Sequence, residues 1–305
     1  MNWRLKVAGF KALSGLPGGK AFYRFTQKYM TGSLRATEAR VSQKLEIGLQ
    51  YLDWLNKHDL GTRLLAGQHL DFGAGWHPTI PLLYHSLGVK RQYLFDVSPL
   101  LDDELVRETL EIFLSIVNRP DWPHRPSLRR LPPPMGSKPW REYLDSLGIT
   151  YQAPYNGAFG SLAAGLDLIT STQVLLHIPR SVLAGCFAQI HSGLVPGGIF
   201  LATIHLRDLL TASQPGISQY NQLRYSNETW ERWINSSLMS YNRLRAPDYR
   251  ELLEQAGFEL LSFEVEQGTA ADLAELEQVP VAKCFQNYSR DDLAAKHLFF
   301  CARKR

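Results

Sequence analysis

Apolar positions along the chain follow two rhythms. Across residues 36–58, Val41, Leu45, Leu49, Leu52 and Leu55 recur at spacings of three and four, a stripe that predicts an amphipathic helix with Gly48 inside it. Before it, Trp3, Leu5, Val7, Phe10 and Leu13 gather mostly on one face of a shorter helix, stopped by Leu16-Pro17-Gly18-Gly19. Beyond Gly61 the rhythm changes to short β-prone runs alternating with helices. The predicted strands are 68–72, 92–96, 149–152, 166–171 and 198–205, the last after a Pro196-Gly197-Gly198 turn. Helices are predicted at 79–87, 102–117, 140–147 and 180–194, and another at 248–255 precedes two closing strands, 258–264 and 297–302. Such alternation implies parallel strands with right-handed crossovers. Two stretches fall outside the pattern. Residues 119–139 are proline-rich and read as an extended connection, and 206–246 are polar and aromatic and read as a helical insertion. The expected organisation is a helical N-terminal cap over 1–62 and an α/β domain over 63–305, with the insertion at 206–246 after strand five.

Composition narrows the function classes. Of 305 residues, 45% are hydrophobic and 20% charged, which describes an ordinary globular chain with ample core. A net charge of +4 is too weak to argue for a nucleic-acid partner. Cys186, Cys284 and Cys301 lie far apart, so neither a disulfide framework nor a zinc site is predicted, and no metal-ligand cluster is visible. No apolar run reaches the ~18 residues that cross a bilayer, and Lys6 and Lys11 interrupt any signal-peptide core. A cytoplasmic location is the expectation. Residues 1–37 hold seven basic side chains and no acidic one. A helix there over residues 1–30 could touch a membrane surface or an anionic substrate; packing against the main domain with a solvated basic face is the expected reading.

Candidate chemistry concentrates at Asp71-Phe72-Gly73-Ala74-Gly75. A strand, a glycine turn and a helix in this order set a small ligand against free backbone N–H groups at a helix N-terminus. Glycine suits the turn because a Cβ would obstruct both the tight bend and the ligand's approach. Asp96 closes the second strand 25 residues beyond Asp71, a position suited to accept hydrogen bonds from ribose hydroxyls.

Over residues 65–305 the chain resembles the class I S-adenosylmethionine-dependent methyltransferases. The blocks that carry the resemblance are Leu70-Asp71-Phe72-Gly73-Ala74-Gly75, Phe95-Asp96-Val97-Ser98, the run from Asp167 to Pro179, Leu194-Val195-Pro196-Gly197-Gly198, and the closing stretches 249–258 and 296–304, in the family's order. The resemblance implies a Rossmann-like doubly wound seven-stranded sheet, mostly parallel with the last strand antiparallel. It implies S-adenosyl-L-methionine as cofactor and S-adenosyl-L-homocysteine as product. Asp71 and the turn Phe72-Gly73-Ala74-Gly75 would hold the methionine part. Asp96 would bind both ribose hydroxyls, Val97 and Ser98 would sit beside the adenosine, and Ser171, Thr172 and Gln173 would face the sulfonium. Three positions depart from the family pattern. His77 stands where a third glycine is frequent, Ala153-Pro154-Tyr155-Asn156 follows the third strand where an acid is frequent, and Leu176 precedes the fourth-block histidine.

This cofactor carries an activated methyl group, so the protein chiefly aligns an acceptor with the C–S bond, and a base helps only where the acceptor holds a proton. His205, at the end of strand five, is the preferred base; His177 competes, although that position is often structural in the resembling family. Tyr220, Tyr225, Trp230 and Tyr241 could line an acceptor pocket, and helix packing would explain them as well. The expected function is methyl transfer to a small-molecule or natural-product acceptor, on oxygen. A lipid-linked or surface-glycan acceptor is the alternative within the class. Two rivals from other classes are a nicotinamide-dependent oxidoreductase and a methyltransferase-like binding module without turnover. The first would want Gly-x-Gly-x-x-Gly, where this chain places Pro78.

Overall fold

The computed structural model describes residues 3–18, 34–61, 66–155, 165–213, 216–236 and 238–305. β1 (Gln68–Phe72) runs parallel between β2 (Arg91–Phe95) and β4 (Leu166–Thr172), and β2 pairs in turn with β3 (Ile149–Gln152). Adding β5 (Leu194–His205), β6 (Phe258–Glu266) and β7 (His297–Lys304) gives a seven-stranded sheet in the order β3-β2-β1-β4-β5-β7-β6, mostly parallel, with the last strands antiparallel and helices on both sides. The order reverses at β1, which creates the crevice where doubly wound sheets take ligands. β1 and β2 are buried on both faces, as a parallel sheet covered by helices demands.

By internal contacts the chain divides into two compact units, Ser33–Thr172 with Ala188–Leu201 and Ala302–Arg305, and Met1–Gly32 with Gln173–Phe187 and Ala202–Cys301.

In the first unit, α2 (Glu38–Lys57) buries Val41, Leu45, Leu49 and Leu55 as the stripe requires, and Thr37 caps its start. It packs on α3 (Thr79–Leu87) and α4 (Asp103–Val117). Gly48 explains itself there. A Cβ at that position would stand 2.9 Å from Leu83 Cδ2 and 3.4 Å from Ile80 Cγ1, so glycine lets α2 approach α3. α4 buries Leu105, Leu110, Phe113 and Val117, and the Asp102 carboxylate accepts from the Leu105 N–H at 3.0 Å. α5 (Trp140–Ser146) leads into β3. α6 (Arg180–Gly193) precedes β5, which begins four residues earlier than the sequence suggested; Pro196-Gly197-Gly198 lies within it, with Gly197 at φ +72.

In the second unit, α1 (Trp3–Ser14) buries Val7, leaves Leu5 exposed, and places the Lys11 ammonium 3.0 Å from Glu231 O and 2.5 Å from Asn235 O. It therefore packs on its own unit, at the end of the π-turn Trp230–Ile234. Of the basic side chains in the N-terminal stretch, Lys20, Arg24 and Lys28 lie outside the described residues, as does Asn156 after β3. Residues 206–245 form short helical turns, Leu209–Ser213, Asn221–Arg224, Asn227–Thr229 and Trp230–Ile234, held by buried polar side chains. Asp208, for example, accepts from Tyr241 Oη at 2.7 Å, Asn221 Nδ2 at 3.1 Å and Leu210 N at 2.8 Å. α7 (Ala246–Gln255) follows, and α8 (Ala270–Glu277) and α9 (Arg290–Ala294) occupy a stretch where the sequence pattern gave no element. No helix among the described residues is long and apolar enough to cross a membrane.

Candidate functional site

The first unit gathers the predicted cofactor residues other than Gln173 at the carboxyl ends of β1, β2 and β4. Gly73 (φ +86) and Gly75 (φ +67) take left-handed conformations that side chains disfavour. The N–H groups of Gly73 and Ala74 both donate to Phe95 O, at 2.8 and 3.1 Å, folding the turn over the end of β2. Asp96 finishes the closure, with Oδ2 accepting from Gly75 N and Oδ1 from Ser98 N, each at 3.0 Å. The Val97 N–H also favours the ionised form, and of the roughly four acceptor positions of a carboxylate this leaves room for a further donor such as a ribose hydroxyl. Val97 beside it is 73% exposed, an apolar surface of the kind a planar base covers.

Asp71 faces Thr170 across the β1–β4 pairing, with Oδ1 3.3 Å from Thr170 Oγ1. The same hydroxyl lies 2.8 Å from His69 Nε2, and His69 Nδ1 lies 3.1 Å from Gln92 Oε1, a buried polar chain across three strands. Burial pushes the Asp71 carboxyl up to about 6, against the opposing pull of the Lys44 ammonium and the Thr170 contact. Burial likewise raises Asp96, offset by its backbone donors and by Lys44. Ser171 Oγ donates to Phe72 O at 3.0 Å, which locks β4 against the start of the turn. Phe72 itself is buried, with its ring against Tyr155.

Two side chains at this site escaped the sequence reading. Lys44, on α2, donates to His77 O at 2.9 Å; burial lowers its ammonium, while Asp71 and Asp96 hold it up. Tyr51, seven residues on, is fully buried, with its hydroxyl 3.1 Å from Ser171 O and 3.2 Å from Thr172 Oγ1. The signal was positional. Lys44 stands three residues after Val41 and next to Leu45, on the stripe's own face, where an unpaired lysine is costly. His77 also finds a reason. Its Nε2 lies 3.0 Å from Leu34 O, and burial with the Lys44 charge lowers its imidazole to about 4, so a neutral ring ties the turn to the strand of chain before α2.

The second unit holds the predicted acceptor-side and catalytic residues. Gln173 (φ +58) donates from its N–H to Thr203 O and accepts at Oε1 from His205 N at 2.6 Å. The His205 ring stacks edge-on to His297 at 4.2 Å. Burial, with His297 and Arg207 nearby, lowers it to about 4, and the hollow it lines measures only about 10 Å³. It is neutral at physiological pH but a weak proton acceptor. His177 Nδ1 lies 2.6 Å from Ser240 O, where it fastens the turn after β4. The four aromatics do not act together. Tyr220 is enclosed with Leu223, Leu276 and Phe285 and donates to Ala294 O at 3.0 Å, so it is core and not pocket wall. Trp230 is buried and donates to Tyr241 O at 3.1 Å. Tyr241 lines a polar cavity of about 380 Å³, while Tyr225 faces a separate hollow beside α1.

A family model described as a methyltransferase domain matches residues 47–262. No curated protein sequence matches the chain. Similar solved structures include a magnesium protoporphyrin IX methyltransferase from Synechocystis PCC 6803 with bound S-adenosyl-homocysteine (12% identity, 94% of this chain and 100% of that one, TM-score 0.47). Others are an S-adenosylmethionine-dependent methyltransferase from Mesorhizobium loti (17% identity, 80% and 96%, TM-score 0.41) and the N-methyltransferase NodS from Bradyrhizobium japonicum WM9 (14% identity, 82% and 86%, TM-score 0.38). The chain belongs to this methyltransferase-domain family, among the class I S-adenosylmethionine-dependent enzymes, and S-adenosylmethionine is its cofactor.

Proposed function

We propose that the enzyme methylates a small molecule on oxygen, with Asp71, the Gly73–Gly75 turn, Asp96 and Lys44 as its cofactor-holding residues. The observation that carries the residue assignment is the closure of the glycine turn on Asp96, which leaves that carboxylate room for a further donor beside exposed Val97. Asp71 would meet the methionine ammonium, and Lys44 would balance the two carboxylates and face the methionine carboxylate. Phe72, Ala74, Ser98, Ser171 and Thr172 would complete the cradle. The bound cofactor supplies an electrophilic methyl group; the chain's residues bind, orient and exclude water.

Oxygen is favoured as the acceptor atom by the weakness of the available bases. His205, lowered to about 4, and His177, tied to a carbonyl, give little help to a nucleophile that must lose its proton during transfer. A carboxyl group, or a hydroxyl acidic enough to be ionised at neutral pH, needs none. A nitrogen acceptor already neutral at pH 7 is the second reading that the same weakness admits. The test is incubation of small-molecule extract with methyl-deuterated S-adenosylmethionine and mass spectrometry of the products. Label on oxygen of an acidic hydroxyl or carboxyl supports the proposal, and label confined to nitrogen, carbon or protein overturns it.

A further inference from the structure

Arg243 is a buried cation that no carboxylate of the described residues contacts directly, although Asp208 and Glu231 lie near enough to favour its charge. It is 6% exposed, held at φ +58, and its guanidinium lies over the Trp230 ring at 4.6 Å and the Phe285 ring at 4.9 Å. Its hydrogen bonds go to neutral acceptors only: Gln222 O at 2.9 Å, Tyr225 O at 2.6 Å and Asn227 Oδ1 at 2.7 Å. These engage both terminal nitrogens but not Nε, so of five N–H donors two are left. Neighbouring Arg245 makes the contrast. It is equally buried, yet Nε and both terminal nitrogens are committed to the carbonyls of Asp292, Leu206, Leu293 and Ala295, the pattern of a structural arginine.

Arg243 also lines the polar cavity of about 380 Å³, whose wall includes Arg180, Asn242, Tyr241 and Tyr288. The nearby acids act on it through space only, with their printed hydrogen bonds going elsewhere. Asp208 is saturated by Tyr241, Asn221 and Leu210, and Glu231, on the cavity wall, accepts from Asn235 Nδ2 at 2.9 Å. Arg180 is paired with Asp248 at 2.5 Å. Burying an arginine without a directly paired anion is costly, and part of the cost is recovered when an anion contacts it. Planar guanidinium donors match carboxylate and phosphate oxygens.

We propose that this cavity binds the carboxylate or phosphate group of a small ligand through Arg243.

The test uses the full chain without cofactor. Calorimetric titrations with phenyl phosphate, benzoate and neutral benzyl alcohol separate a phosphate site from a carboxylate site and either from an apolar one. Saturable binding of one anion, and none of the alcohol, is expected. Arg243→Met should weaken that binding about tenfold or more, the scale of a charge-assisted hydrogen bond. Should that variant fail to fold, Glu231→Gln decides: removing an exposed competing carboxylate should tighten the anion about two- to fivefold. Absence of binding by both anions, equal binding of the alcohol, or an unmoved affinity in Glu231→Gln overturns the proposal. S-adenosylmethionine titrated into the same samples reports on the methyltransferase reading separately, because its predicted residues, Gln173 apart, lie in the other unit.

Discussion

Asp71 makes the cofactor affinity depend on pH in a way that can be worked out in advance. Its carboxyl, pushed from the ordinary 3.8 up to about 6, is half-protonated near pH 6 in the cofactor-free enzyme. Because the folded value is raised, the ionised form is penalised by folding: the cost is absent below about pH 4 and fully present above about pH 6. A rise from 3.8 to about 6 corresponds to about 3 kcal/mol. A cofactor that presents an ammonium to Asp71 binds the ionised form. Affinity should then be flat above pH 7, fall as pH drops through 6, and be about tenfold weaker at pH 5. Lys44 opposes the burial effect at both Asp71 and Asp96. Lys44→Met should therefore move the inflection upward by about one pH unit, the usual scale for a nearby opposite charge. It should also weaken binding at neutral pH. Asp71→Asn should lose cofactor affinity while gaining stability without cofactor at pH 7. Calorimetric titration with S-adenosylmethionine from pH 5 to 8 is the assay. Affinity unchanged across that range, or an inflection that Lys44→Met leaves in place, refutes the reasoning.

Three further outcomes follow from the geometry. Asp102→Ala, which removes the cap on α4, should cost about 1 kcal/mol in urea unfolding with the cofactor affinity unchanged; a loss under a few tenths would show the cap is idle. Leu70→Ala at the centre of β1 should cost about 2–5 kcal/mol, as buried large-to-small changes do, measured the same way. His205→Ala should keep turnover within about tenfold once an acceptor is in hand, since its imidazole is a weak base. A loss of 100-fold or more with intact cofactor binding would restore it as the base.

Much of the fold is legible in the sequence, because its signals are local. β1, β3 and α3 occupy the predicted residues, set off by Gly73, Gly148 and Gly88 at positive φ. The cofactor turn is legible for the same reason, as Asp71, Gly73, Gly75 and Asp96 sit at strand ends that β-propensity and glycine mark. α8 and α9 went unread because eight and five residues carry no helical period. Their capping boxes, Thr269 with Asp272 and Ser289 with Asp292, were the available sign. In the stretch after β5 the short helical turns are held by Asp208, Asn242 and Arg243 through hydrogen bonds that no periodicity encodes. Lys44 and Tyr51 reach the site only through the fold, from a helix that precedes β1.

The most direct test of the cofactor site is titration of the wild-type enzyme and Asp96→Ala with S-adenosylmethionine, with NAD as control. The geometry predicts saturable binding of S-adenosylmethionine to the wild type, no heat with NAD, and a loss of about tenfold or more in Asp96→Ala, the scale of a charge-assisted hydrogen bond. Binding of NAD in its place, or the same S-adenosylmethionine affinity in both proteins, would contradict it.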